Sequence, residues 1–236
     1  MLERLHVGTS GFAYPTWKPA FYPADLPQSR FLEFYAERFD TVELNNTFYR
    51  FPAEKQLADW AHRTPEGFRF ALKANQRITH YARLKNAGET ARDFVERCQA
   101  LGTKLGPILF GLHPQTARDD DRLTRFLAEL PESGRYAFEF RHPSWLDPAV
   151  LELLRAAKAA LCVAESEEMA APREATADFV YVRLRKAAYA DSELEDWRKW
   201  LAGQVAAGRE AFVYVKHDDA GMGAEIARRL AGRTPP

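Results

Sequence analysis

Several charged side chains stand singly inside short runs of β-branched and aromatic residues: Glu43 in TVELN, Lys73 in RFALKAN, Glu139 and Arg141 in YAFEFR, Arg183 in FVYVRL and Lys216 in AFVYVKH. Carboxylates, an amine and guanidinium groups are the side chains that move protons and grip anions. Side chains alternate across a strand, so position within each run decides the face each one occupies. Val42 and Leu44 suit a helix-covered face and leave Glu43 and Asn45 on the other; Phe70 and Leu72 leave Lys73 and Asn75; Phe138 and Phe140 leave Glu139 and Arg141. Likewise Val180, Val182 and Leu184 leave Tyr181 and Arg183, and Val213 and Val215 leave Tyr214 and Lys216. Ser10 and Glu165, each ending a run, join them and complete a set of carboxylates (Glu43, Glu139, Glu165) and cations (Lys73, Arg141, Arg183, Lys216). Glu43, Lys73 and Glu139 are the candidate catalytic groups; Ser10, Asn45, Arg141, Arg183 and Lys216 are candidate substrate ligands. The competing reading is a ring of mutually satisfied ion pairs that does no chemistry, because buried charges require partners.

The elements that must position these groups are legible as a repeat. Eight short runs (5–10, 41–45, 69–75, 105–112, 136–141, 159–165, 179–184 and 211–217) alternate with amphipathic stretches such as ETARDFVERCQAL and PAVLELLRAAKA. The exception is SEEMAAPREATAD (166–178), which has no apolar stripe and predicts a short or missing helix. Eight βα units with right-handed crossovers fill the chain, which predicts one domain over 1–236, a (βα)8 TIM barrel. In that architecture active sites lie at the carboxyl ends of the strands, where the charged residues stand. Between the first and second runs lies GFAYPTWKPAFYPADLPQ, where Pro15, Pro19, Pro23 and Pro27 prevent regular helix and Phe12, Tyr14, Trp17, Phe21 and Tyr22 supply apolar surface. This long first βα loop sits over the mouth, either as a plug with its own small core or as a wall, with Tyr14 and Trp17, that stacks on a flat ligand. NTFYR, NQRITHYARL and RHPSW add Tyr49, His80, His142 and Trp145 as further candidate ligands beside Arg or Lys.

Composition excludes several classes. With 33 basic and 33 acidic residues no global field favours nucleic acid or an anionic membrane. A start without a signal-length apolar run and the lack of a bilayer-length one predict a cytoplasmic protein with no membrane partner. Cys98 and Cys162 are widely separated and read as small buried residues. No dinucleotide fingerprint, P-loop, nucleophile elbow, HxH or HExxH is present, so nothing supports a nicotinamide enzyme, an NTPase or a serine hydrolase; the cofactor, the metal state and the oligomeric state are not legible.

The blocks VGTSGFAYPTWKPAFYP, TVELNNTFYRFP, FRFALKANQRITH, LGPILFGLHP, FEFRHPSW and YVRLR resemble, in this order and over nearly the whole chain, the YecE-like family of proteins of unknown function. The resemblance implies a TIM barrel and leaves the activity unassigned. By it, the matching residues are Gly8, Thr9, Ser10, Gly11, Glu43, Asn45, Thr47, Phe48, Tyr49, Lys73, Thr79, His80, Glu139, Arg141, His142, Trp145 and Arg183. The chain departs from the family pattern at Gly111 to Pro114, at Glu165 where Asp is usual, at Arg185 and Lys186, and at Lys216, His217 and Asp218.

The leading functional reading is a hydrolase-like barrel enzyme for an anionic substrate: a phosphorylated sugar, a nucleotide or a nucleic-acid end. Arg141, Arg183 and Lys216 would hold the anion and Glu139 or Glu43 would serve as general acid or base. Three alternatives stay open. One is a metal-assisted barrel of the xylose-isomerase or endonuclease kind, with ligands among Glu43, Glu139, Glu165, His113 and His217. The second is Schiff-base chemistry at Lys73, and the third is a non-enzymatic nucleic-acid or metabolite binder with an aromatic stacking rim.

Overall fold

The computed structural model describes residues 4–216 and 221–232. Eight parallel strands alternate with helices: β1 (Leu5–Thr9), β2 (Thr41–Leu44), β3 (Arg69–Lys73), β4 (Leu105–Gly111), β5 (Tyr136–Glu139), β6 (Ala160–Glu165), β7 (Phe179–Leu184) and β8 (Glu210–Val215). The helices are α1 (Phe31–Ala36), α2 (Asn46–Tyr49), α3 (Glu54–His62), α4 (Gly88–Cys98), α5 (Asp120–Glu129), α6 (Pro148–Ala156), α7 (Asp191–Ala206) and α8 (Met222–Leu230). From β2 to β8 each strand pairs with its sequence neighbours, and β8 pairs with β1, which brings the sheet round as a (βα)8 barrel requires. Residues 166–178 form no helix, in keeping with their lack of an apolar stripe.

The seam between β1 and β2 closes differently from the rest. Only Ser10 and Glu43 form a bridge there, with the Gly11 N–H donating to the Glu43 carbonyl at 2.8 Å. Lower down, the Tyr35 hydroxyl of α1 takes the place of a ladder bond: it accepts from the Thr9 N–H at 2.8 Å and donates to the Thr41 carbonyl at 3.0 Å. Gly8 permits this approach, since a Cβ there would lie 2.0 Å from the Thr41 carbonyl oxygen.

Two apolar layers follow from strand parity. Outward residues such as Val42, Phe70, Leu72, Phe110, Phe138, Val182 and Val213 pack under the helices. The inner filling is graded: Ala71, Ala137, Ala160, Cys162 and Ala164 on β3, β5 and β6 make room for Phe179, Tyr181, Phe212 and Tyr214 on β7 and β8. The upper inner layer is where parity places Ser10, Glu43, Lys73, Glu139 and Arg183.

The first βα loop is a plug. Trp17 and Tyr22 are completely buried, Tyr22 stacks on Phe31 of α1 at 3.8 Å between centroids, and Phe21 packs against Phe34 and Phe39. No helix among the described residues is long and apolar enough to cross a membrane.

Candidate functional site

At the carboxyl end of the barrel, β2, β5 and β7 each deliver one inward charge, and the three meet. Arg183 lies between two carboxylates, donating from Nη2 to Glu43 Oε1 at 2.9 Å and from Nη1 to Glu139 Oε2 at 2.8 Å. Glu43 also accepts from Ser10 Oγ at 2.8 Å, Asn45 Nδ2 at 3.1 Å and the Tyr181 hydroxyl at 2.7 Å. It is 0% exposed, and the Tyr14 hydroxyl, donating to the Ser10 carbonyl at 2.8 Å, lies just above. Burial pushes the Glu43 carboxyl up, but Arg183, Tyr181 and Ser10 outweigh it and hold it below the usual carboxylate range. For Glu139, burial is likewise outweighed, by Arg183, Arg141, Arg185 and Lys73, which bring it down to about 2. Both groups are therefore fixed carboxylates at neutral pH. The expected role of general acid suits neither, and Glu43, fully buried, has no access to a ligand as a base.

Above this tier the balance of charge changes. Arg141 donates from Nη2 to Glu139 at 3.0 Å, and Arg185, two residues beyond Arg183 and on the same parity, makes no hydrogen bond or ion pair through its side chain among the described residues. Lys73 makes neither; its Nζ lies 4.3 Å from the centre of the Phe48 ring. Two carboxylates, Glu43 and Glu139, thus face four cations, Arg183, Arg141, Arg185 and Lys73. Burial, then Arg183 and Arg141, bring the Lys73 ammonium down to about 8. Gly111 is what admits the crowd: a Cβ there would meet Glu139 Oε2 at 2.9 Å and Lys73 Cε at 3.7 Å.

Lys73 and Arg141 open into a cavity of about 490 Å³ completed by Phe48, Tyr49, Gln76, His80, Tyr81, Arg83 and His113. The wide π turn Arg77–Tyr81 after β3 presents His80, whose Nδ1 is 2.9 Å from Thr79 Oγ1 and whose ring packs edge-on against His113 and Phe48. Burial, then His113 and Lys73, depress His80 to about 4, so it is neutral at pH 7. Tyr49 and Tyr81 are 73% and 72% exposed at the rim.

The structure brings Ser10, Glu43, Asn45, Lys73, Glu139, Arg141 and Arg183 into one network or its margin, with Tyr14 above it and Tyr49 and His80 on the cavity. Other expected ligands lie elsewhere. Trp17 and Trp145 are buried and present no face to a ligand; Trp145 stacks on Phe140 and donates from Nε1 to the Thr116 carbonyl at 2.7 Å. His142 folds onto its own turn, with Nδ1 2.7 Å from Ser144 Oγ. Lys216 is exposed just past β8. Glu165 is turned to the helix side, where it pairs with Lys186 and accepts from Trp197 Nε1 at 2.6 Å; its inward placement is corrected by one residue of parity, Ala164 being the inward neighbour. The metal set suggested from sequence does not converge, because Arg183 stands between Glu43 and Glu139 and Glu165 faces away; His217 and Asp218 lie outside the described residues. From the sequence Arg185 stands out only as a departure from the family pattern, and His113 as such a departure and as a possible metal ligand. The signal for Arg185 was its shared parity with Arg183.

Comparison with known proteins agrees with the fold. The family model described as "Protein of unknown function DUF72" matches residues 6–235. UPF0759 protein YecE of Escherichia coli (strain K12) is 29% identical over 147 residues, 60% of this chain and 50% of that protein. UPF0759 protein YunF of Bacillus subtilis (strain 168) is 24% identical over 156 residues, 63% of this chain and 54% of that protein. The chain spans about half the length of the curated relatives it matches. A DUF72 family protein from Thermotoga maritima MSB8 superposes with a TM-score of 0.86 at 25% identity, over 97% of this chain and 98% of that chain. One from Enterococcus faecalis V583 gives 0.78 at 18% identity, over 98% and 97%. The resemblance carried by the sequence blocks is thus borne out, and the chain belongs to the DUF72 family.

Proposed function

We propose that this protein is a barrel enzyme for a small anionic substrate, in which Arg141 and Arg185 hold the anion and Lys73 moves a proton at the reacting centre. The observation that carries this reading is the two-tier arrangement of charge. In the lower tier Arg183 pairs with both Glu43 and Glu139, whereas above it Lys73 and Arg141 border an open cavity and, together with Arg185, outnumber those carboxylates. Guanidinium groups crowded by like charge gain most when an anion enters. A lysine whose pKa is about 8 holds both protonation states near neutrality, which a proton donor and acceptor requires. Substrates of the class expected from the sequence, phosphorylated sugars and nucleotides, offer the anion and leave hydrolysis as the first reaction to assay.

The test is turnover of a panel of sugar phosphates and nucleotides by wild type and Lys73→Met. Loss of about 10²-fold or more in kcat, with phosphate binding retained and a wild-type rate that bends near pH 8, is expected. Full activity in Lys73→Met, or a profile flat through pH 8, overturns the role of Lys73.

A second reading is favoured by one observation, the exposed Tyr49 and Tyr81 beside Arg50, Arg77 and Arg83: a stacking platform for nucleic acid. Oligonucleotide binding that weakens steeply with salt, without turnover, would mark it.

A further inference from the structure

We infer that Lys73 is a covalent catalyst: its amine forms an imine with the carbonyl group of an anionic aldehyde or ketone whose anion rests on Arg141 and Arg185. This deepens the reading above by naming the substrate class and rests on it for the anion.

Four observations carry it. First, the ammonium is free of the partner that disables most interior lysines, since both neighbouring carboxylates are taken up by Arg183 and the Lys73 side chain makes no hydrogen bond or ion pair among the described residues. Second, it lies over an aromatic face, Phe48, with Nζ 4.3 Å from the ring centre. A ring face stabilises an ammonium and an iminium alike, so charge on nitrogen is supported from reactant to product. Third, Lys73 lines the cavity, and the bare backbone of Gly111 beside Cε leaves the lysine stem room to reach a bound carbonyl. Fourth, His80 and His113 line the same cavity, and His80 is neutral at pH 7, as a group that passes protons without adding charge must be. Burial and the surrounding guanidinium groups also bring the amine close to neutrality, the condition for nucleophilic attack.

The step balances without any further reagent. The neutral amine attacks the carbonyl carbon, a C–N bond forms, and the C=O π pair moves to oxygen, which takes up a proton while nitrogen releases one. The resulting carbinolamine hydroxyl accepts a second proton, its C–O bond breaks, and water leaves as the nitrogen lone pair closes the C=N bond. Counted from the ammonium, the sum is ammonium plus carbonyl giving iminium plus water, with no net proton change. The iminium then withdraws electrons from the adjacent carbon, which eases loss of a proton there.

The test uses dihydroxyacetone phosphate and dihydroxyacetone, a pair that differs only in the anion. Each is incubated with the protein, the imine is reduced with borohydride, and the modified lysines are located by peptide mass spectrometry. Labelling of Lys73 by the phosphorylated ketone well above that of the exposed Lys55 and Lys85 is expected, because the bound anion holds the carbonyl beside this amine. Labelling by dihydroxyacetone should be weaker and inorganic phosphate should protect. In deuterated water the protein should exchange the α-hydrogens of dihydroxyacetone phosphate, and Lys73→Arg, which keeps the charge, should lose the exchange. Labelling of Lys73 no greater than that of Lys55 and Lys85, in a protein that still binds phosphate, overturns the imine and leaves the anion site standing. Equal labelling by both ketones without protection by phosphate overturns the anionic substrate, and with it the anion site, while leaving a reactive amine.

Discussion

The barrel carries a charge cluster at each end, and both ends are concave. At the lower end His6 lies between Asp40 (3.3 Å) and Glu210 (3.1 Å), and Glu210 also pairs with Arg135; a hollow lined in part by His6, Phe39, Asp40 and Phe68 opens there. At the upper end Arg183 lies between Glu43 and Glu139, with a hollow beyond Lys73 and Arg141. Concavity and buried charge therefore do not distinguish a site from a scaffold here. The balance of charge does: below, Asp40 and Glu210 are matched by His6 and Arg135, while above, Glu43 and Glu139 are outnumbered by Arg183, Arg141, Arg185 and Lys73. A balanced cluster contributes to stability and has nothing left to bind. An unbalanced one, on the reading proposed above, gives up some stability to keep attraction for an anion.

The comparison is broken most forcefully at Arg183. Replacing it with Met leaves two buried carboxylates facing each other, and a loss of about 3–5 kcal/mol in unfolding free energy is expected by denaturant titration. A loss below about 1 kcal/mol would mean that the lower tier of the mouth is not the structural unit described. Glu210→Gln should be milder, about 1–2 kcal/mol, because Glu210 and Arg135 are in part reach of water and His6 keeps Asp40; phosphate binding at the mouth should not change.

Acid affects both ends alike, and a rise in pH separates them. Glu139 and Glu210, both held at about 2 against an ordinary 4.5, contribute stability that is present above the unfolded value and lost as pH falls from about 4.5 toward 2. His6 works in the opposite sense. Burial lowers its pKa, but the hydrogen bonds and charges of Asp40 and Glu210 prevail and raise it above 6.5. Its contribution is complete below the unfolded value and lost as pH rises through the folded one. The unfolding free energy of wild type should therefore fall relative to His6→Gln as pH rises above the ordinary 6.5; parallel curves would contradict the assignment. The smallest effect is expected at the rim: Tyr49→Ala should change stability by less than about 0.5 kcal/mol, and any change in oligonucleotide affinity would favour the stacking platform.

How much of this the sequence discloses depends on whether a feature is local. Eight strands and the missing helix at 166–178 follow from short-range pattern. Parity collects Glu43, Lys73, Glu139 and Arg183 because β2, β3, β5 and β7 interrupt their apolar runs with charge on one face only. It fails for Glu165 because ALCVAE is apolar on both faces, so nothing in the run reveals which residues point inward. Trp17 and Trp145 share the composition of a ligand wall, and their burial depends on α1 and on Phe140, partners whose position only the folded chain supplies. The pairing of charges is likewise non-local: Arg183 reaches across the barrel to strands far away in sequence, which decides that the carboxylates are committed and Lys73 is not.

The central claim is that surplus positive charge at the mouth awaits an anion. Calorimetric titration with inorganic phosphate tests it most directly, comparing wild type with the double variant Arg141→Ala/Arg185→Ala and with Arg135→Ala at the lower end. Binding by wild type that is retained in Arg135→Ala and weakened by about tenfold or more in the double variant, with little change in its unfolding midpoint, is the expected result. Equal phosphate affinity in all three proteins, or no binding by wild type, would contradict the claim and reduce the upper cluster to a second structural ion-pair layer.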